Sequence, residues 1–152
     1  MAVNNDPIIV PCPHCDTLNR VARAKLGKGG RCGQCHQPLF TGHPLALGKE
    51  RFERHLDKGD LPLLIDFWAP WCGPCRAVTP VLEQIAGETE KVEFVKLDID
   101  QNPVTASRYD VLSIPTVILF ADGEPRETVI GARKPGHFRQ VFERFLVAPP
   151  AP

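Results

Sequence analysis

The sequence predicts an α/β fold, a central mixed sheet flanked by helices, preceded by a small cysteine-rich module. Three observations predict it. From about Lys49 onward, short apolar runs alternate with segments of helical periodicity, the pattern of parallel strands joined by helices. Toward the C-terminal end, Asp122-Gly123 joins two strand-like runs directly, which adds an antiparallel hairpin. Ahead of all this, residues 10–40 are polar, rich in Gly and Cys, and too poor in large apolar residues to fold unaided.

The elements run in order. Residues 1–40 form the expected module, with Leu18, Val21, Leu26, Leu39 and Phe40 as its main apolar residues. Thr41–Gly48 reads as a linker, given Gly42, Pro44 and Gly48. The larger domain is expected over residues 49–147. Phe52 and Leu56 share a face of a short helix. Leu63–Trp68 is a short apolar run bounded by Pro62 and Pro70, so a buried central strand. Cys75, Val78, Leu82, Ile85 and Ala86 recur at helical spacing, and Pro80 inside that pattern predicts a kink. Val92–Asp98 is a second strand, Val104–Tyr109 a short helix, Thr116–Phe120 a third strand, and Glu127–Ile130 the returning strand. Pro135 opens a last helix whose buried stripe is Phe138, Val141, Phe142, Phe145 and Leu146. The Pro-rich tail, residues 148–152, is expected to be disordered.

Composition narrows the function. The formal net charge is zero, which argues against a nucleic-acid binder. No run approaches the roughly 20 apolar residues of a membrane span. The opening MAVNNDPIIVPC has neither the basic nor the apolar region of a secretory signal, so a soluble, cytoplasmic protein is expected. The default oligomeric state is a monomer. In that reducing compartment six cysteines are not a disulfide framework. All fall in Cys-x-x-Cys pairs: Cys12/Cys15, Cys32/Cys35 and Cys72/Cys75.

The first two pairs stand sixteen residues apart, the spacing of a tetrahedral zinc site with four cysteine ligands. The alternatives are two disulfides or four free thiols. His14 and His36 adjoin these cysteines but are not needed as ligands once four thiolates are in place. A bound Zn2+ would be the module's main source of folding energy.

The third pair, Cys72-Gly73-Pro74-Cys75, lies between a buried strand and a helix. That places Cys72 at the helix N-terminus, where unpaired N–H groups and the helix dipole favour a thiolate. Cys75 is expected inside the first turn, more enclosed, and near enough to close a disulfide. Asp66 is an acid in the middle of the apolar strand. It is either a structural acid bonded to backbone or, with its pKa raised by burial, a proton acceptor for Cys75. Trp68 and Trp71 could both be core residues.

Asp66-Phe67-Trp68-Ala69-Pro70-Trp71-Cys72-Gly73-Pro74-Cys75 resembles the active-site signature of the thioredoxin family. Ser113-Ile114-Pro115-Thr116 resembles its cis-proline loop, and Lys96–Asp100 its central strand end. The resemblance spans about Leu47–Val147 and implies the thioredoxin fold and a protein-disulfide reductase. It implies Cys72 as nucleophile, Cys75 as resolving thiol, Asp66 as buried acid/base and Lys96 as its charged neighbour, although Lys96 could be only a surface lysine. It also implies a substrate-binding rim of Trp71, Gly73, Pro74, Ile114, a cis Pro115 and Gly131. Its implied partners are disulfide-containing client proteins and an NADPH-dependent thioredoxin reductase. Pro70 and Arg76 depart from the acid and lysine common there, which touches the rim rather than the chemistry. With the zinc module in front, the chain resembles the second type of bacterial thioredoxin. Two other functions are open: a non-catalytic binding or holdase protein docking partners through the module, and a redox sensor whose zinc-bound thiolates release metal on oxidation.

Overall fold

A computed structural model of the protein describes residues 6–146. The expected tail at 148–152, and Val147 at the end of the expected domain, lie outside the described residues. The module opens with an antiparallel pair, β1 (Ile8–Pro11) and β2 (Leu18–Val21), then a short 3-10 turn at Arg23–Lys25. Sequence periodicity does not reveal these strands, because β2 alternates between exposed and half-buried positions and buries no residue fully. The module's core is instead supplied by Ile8 and Val10 of β1 with Cys12, Leu26, Cys32 and Leu39. Leu18, one of the module's few large apolar residues, is exposed.

The larger domain holds a five-stranded sheet in the order β3-β5-β4-β6-β7. Its strands are β3 (Leu45–Ala46), β4 (Leu63–Trp68), β5 (Glu93–Asp98), β6 (Thr116–Ala121) and β7 (Glu124–Ile130). β3, β5 and β4 run parallel, while β4–β6 and β6–β7 are antiparallel, so the sheet is mixed as predicted. The stretch expected as a linker over 41–48 contributes β3 and the buried Leu47. Two residues are too few to show a period, so this edge strand is defined only by its pairing to Val95 and Lys96.

The helices are α1 (Lys49–Lys58), α2 (Cys75–Ala86), α3 (Pro103–Arg108) and α4 (Pro135–Glu143). α2 continues through Pro80, and Thr79 Oγ1 donates to the Cys75 carbonyl 3.2 Å away. Each face of the sheet has its own core. Leu64, Phe94, Val117 and Leu119 pack against Val78, Leu82 and Ile85 of α2 and Phe138 and Val141 of α4. Leu63, Ile65, Phe67, Val95 and Ile118 pack against Phe52 and Leu56 of α1 and Ala106 of α3. Burying side chains such as Phe52, Phe67, Phe120 and Phe138 contributes about 1.5–3 kcal/mol each.

The module is seated on this domain. Leu61, just before β4, joins the module's core cluster. Asp60 donates its N–H to the Ile9 carbonyl at 2.9 Å, and its carboxylate accepts from the Ile9 N–H at 2.7 Å. Among the described residues no helix is long and apolar enough to cross a membrane.

Candidate active site and metal site

The redox pair lies where β4 ends and α2 begins. Strand alternation decides what sits beneath it. Leu63, Ile65 and Phe67 face α1 and α3, so Leu64 and Asp66 face α2, the helix that starts with Cys75. Asp66 is only 3% exposed, and its Oδ1 has no hydrogen-bond partner. Burial pushes its carboxyl up to about 7, against the opposing pull of the Lys96 ammonium. Lys96 pairs in register with Asp66 on the neighbouring parallel strand. Its Nζ lies 5.3 Å from the Trp68 ring centroid, in cation–π range. One oxygen of the carboxyl therefore bonds to nothing.

Cys72 and Cys75 form a disulfide with their Cα atoms 5.3 Å apart. The sequence places Cys72 on the helix terminus and Cys75 inside the first turn. The structure shifts both by part of a turn: Cys75 is the first helical residue, Pro74 is its N-cap, and Cys72 stands in the turn before it. The electrostatic consequence is sharper than a general dipole. The Cys75 N–H donates directly to Cys72 Sγ at 3.2 Å, a contact of the kind that favours a thiolate over a thiol. Both sulfurs are largely covered in this oxidised state, with Cys72 4% and Cys75 2% exposed. Cys75 is the more enclosed by a small margin only.

The rim assembles from distant segments. Ile114 packs against Ala69, Cys72 and Cys75. The Ile114–Pro115 peptide is cis, as the resemblance implies. Gly131 donates its N–H to the Pro115 carbonyl at 2.9 Å from a left-handed conformation, φ 85°, which a glycine adopts without strain. Gly73 and Pro74 are exposed. Trp71 is 66% exposed rather than a core residue, and its Nε1 donates to Asp100 Oδ2 at 2.8 Å. Trp68 is half-buried against the cysteine cluster.

Sequence reasoning misses three contributors here. Asp100 orients Trp71. Val111 and Leu112 join Trp71, Ile99, Ser113 and Ile114 around a groove of about 260 Å3 beside the disulfide. Leu112 is 96% exposed, so no burial period marks it. Its one sequence signal is its place two residues before Ile114.

The other four cysteines converge into one cluster. Their sulfurs lie within 4.8 Å of one another. Two separations across the knuckles, Cys12–Cys35 and Cys15–Cys32, are each 3.6 Å. A tetrahedron with metal–sulfur bonds of about 2.3 Å has edges of about 3.8 Å, whereas a disulfide needs about 2.05 Å. The cluster therefore has the dimensions of a four-thiolate metal site and not of two disulfides. Backbone N–H groups of His14 and Gln34 point at the sulfurs of Cys12 and Cys32, at 3.3 and 3.4 Å. Burial pushes the Cys12 thiol up to about 12, while N–H donation from Cys35, against burial, brings Cys32 down to about 6. A dication that takes four thiolates would override both. His14 and His36 are exposed and stand outside the cluster.

These two sites carry the comparison with known proteins. The thioredoxin family profile matches residues 43–144, and the profile described as "Thioredoxin 2, N-terminal" matches residues 11–37. The chain belongs to the thioredoxin family. It is 36% identical to Thioredoxin C-3 of Corynebacterium nephridii over 139 residues, which cover 91% of this chain and 96% of that protein. It is 37% identical to the chloroplastic Thioredoxin M4 of Arabidopsis thaliana over 135 residues, 86% of this chain and 69% of that one. A solved mutant thioredoxin from Halobacterium salinarum superposes with a TM-score of 0.65 at 35% identity, covering 72% of this chain and 96% of the other. With the redox pair in place, this chain is a thiol–disulfide oxidoreductase of the thioredoxin type that reduces protein disulfides, and it carries a zinc-ribbon module at its N-terminal side.

Proposed function

We propose that Cys72 is the attacking thiol, Cys75 the resolving thiol and Asp66 the proton acceptor. The observation that carries this reading is the Cys75 N–H on Cys72 Sγ. In the reduced protein the Cys72 thiolate attacks one sulfur of a client disulfide. The client's other sulfur leaves as a thiolate and takes up a proton, and a Cys72–client mixed disulfide remains. Cys75 then gives its proton to Asp66 and attacks Cys72 Sγ, which expels the second client thiol. The chain ends oxidised across Cys72–Cys75, and the client has gained two electrons and two protons. A carboxyl titrating at about 7 is half ionised near neutral pH, so it can accept the proton and release it again. Lys96 keeps that value from rising further.

Trp71, Gly73, Pro74, Ile114, Pro115 and Gly131 form the surface that receives an extended client segment. Ile114 offers backbone to that segment, and the groove beside Leu112 takes an apolar client side chain. The resting disulfide would be reduced again by an NADPH-dependent thioredoxin reductase. The compartment is the cytoplasm and the working unit a monomer. The holdase alternative loses weight because a scaffold has no use for an activated thiol.

Cys12, Cys15, Cys32 and Cys35 would hold one Zn2+, which supplies the folding energy that the thin module core lacks. We place the module within residues 1–40 and the catalytic domain within 49–147, with β3 between them as part of the sheet. A second role for the module, as an oxidant sensor, is favoured by the exposure of Cys15. Peroxide that released zinc without changing activity or partners would remove that role. The main reading is tested by turnover of a protein disulfide with NADPH and reductase: the parent chain reduces it and Cys72→Ser does not. A Cys72→Ser protein of full activity would overturn the assignment.

A further inference from the structure

The two cysteine knuckles are built alike but held differently. In each, the first cysteine's N–H bonds a carbonyl farther along the turn: Cys12 to Thr17 at 2.8 Å and Cys32 to Gln37 at 2.9 Å. Each first cysteine's carbonyl accepts the N–H of the residue after the second cysteine, Asp16 in one and His36 in the other, both at 3.0 Å. Both of those residues have left-handed backbone, φ 61° for Asp16 and 64° for His36. A non-glycine residue there costs roughly 1–2 kcal/mol and persists only where its surroundings hold it.

At this equivalent position the second knuckle carries an exposed His36, whose carbonyl receives Arg31 Nη1 at 3.2 Å. The first knuckle carries Asp16, and α1 of the thioredoxin domain grips it. Arg51 spans both Asp16 carboxylate oxygens, at 2.9–3.1 Å, and its Nη2 also donates to the Pro13 carbonyl at 2.7 Å. Arg54 Nε donates to the Asp16 carbonyl at 2.9 Å. His55, fully buried, contacts Asp16 Oδ1 through Nε2 at 2.9 Å and Glu93 Oε1 through Nδ1 at 2.5 Å. Glu93 opens β5, so the chain of contacts runs from the cysteine turn to the central sheet. Pro13 and Asp16 adjoin the two ligating residues of this knuckle. A bidentate guanidinium and a buried imidazole fix the turn with charged hydrogen bonds, the stronger kind.

We infer that Asp16, Arg51 and His55 are positioning residues for the metal: the thioredoxin domain holds the Cys12–Cys15 knuckle in its ligating shape and slows loss of the ion. Among the described residues the second knuckle has no such grip from α1, and it is where the site opens first. This inference rests on the reading of the four cysteines as a zinc site. Contacts that orient a metal's ligands change its retention by about 10–100-fold when removed.

The experiment uses the full chain loaded with Zn2+ and follows metal release to excess chelator with a colorimetric dye. Asp16→Asn keeps a residue that tolerates the left-handed turn but removes the charge. Arg51→Ala removes the clamp, Arg51→Lys returns one point charge, and Arg31→Ala disturbs only the other knuckle. Asp16→Asn and Arg51→Ala are expected to release zinc about tenfold faster than the parent, with Arg51→Lys in between and Arg31→Ala within about twofold. In cadmium-loaded protein, the NMR signal of the metal should move in Asp16→Asn, which a merely stabilising contact would not cause. Should Arg51→Ala fail to fold, Asp16→Asn decides alone. Release from Asp16→Asn within about twofold of the parent would overturn the inference while leaving the zinc reading intact. A parent chain that binds no zinc would overturn both.

Discussion

Cys72/Cys75 and the pairs Cys12/Cys15 and Cys32/Cys35 share one spacing and do opposite things. At the head of α2, the turn brings Cys72 and Cys75 together, and they bond to each other. In the two knuckles no such bond closes, and the sulfurs of both pairs gather into one cluster, with Cys12–Cys35 and Cys15–Cys32 each 3.6 Å apart across the knuckles. The first arrangement presents one sulfur to the first free N–H of a helix, beneath which lies a buried carboxyl with an unpaired oxygen. The second packs Cys12 and Cys32 among Ile8, Val10, Leu26 and Leu39 and leaves Cys15 exposed. Spacing alone therefore permits either metal binding or exchange chemistry. The backbone just after the second cysteine decides between them: a helix in one case, a left-handed residue that turns the chain back in the other two.

Breaking this contrast at its strongest point gives the largest expected effect. Cys72→Ser should lower disulfide reduction by on the order of a thousandfold or more, read as NADPH consumption with reductase, while zinc content stays at one per chain. The reciprocal change is Cys32→Ser. It should remove the metal and, with it, hydrogen-exchange protection across residues 8–40, because metal binding in such modules is worth about 10 kcal/mol or more. The sheet around β4 should keep its protection. A joint loss of both regions would show that the module and domain are one cooperative unit.

Asp66 sharpens the comparison through pH. Its carboxyl titrates at about 7 in the folded chain, up from 3.8. Between those values the folded state holds a proton that the unfolded state has lost. Stability therefore falls as pH rises from about 4 to 7, and the full penalty stands above that window. A shift of about three units corresponds to at most about 4 kcal/mol. Asp66→Asn should thus be more stable than the parent by up to that amount at pH 8 in urea unfolding, with the difference vanishing near pH 4. It should also resolve the mixed disulfide more slowly at neutral pH. Equal stability at both pH values would remove the raised pKa from the account. The smallest effect is expected at the rim. Leu112→Ser should raise KM for apolar clients by about fivefold with kcat unchanged, since a partly covered leucine contributes about 1 kcal/mol.

Much of this is legible in the sequence because the central strands and the longer helices of the larger domain carry their own apolar patterns. Leu63–Trp68 has its predicted bounds, and Phe138, Val141 and Phe142 of the last helix's stripe are buried as expected. The redox and metal cysteines are legible for a different reason: their chemistry requires fixed local spacing. The features that stay hidden depend on partners far along the chain. β3 is too short to show a pattern and exists by pairing with β5. His55 and Arg51 read as polar positions of an amphipathic helix, and only the seating of the module makes one of them buried and both of them partners of Asp16. Leu112 and Asp100 are ordinary surface residues until folding sets them beside Trp71.

The most direct measurement traps the exchange in the act. Cys75→Ser protein, loaded with zinc, is mixed with a disulfide-containing client, and the covalent adduct is mapped by mass spectrometry. The account predicts a single adduct, joining the client's sulfur to Cys72, with Cys12, Cys15, Cys32 and Cys35 unmodified and zinc retained. An adduct on any of those four with Cys72 free would contradict it.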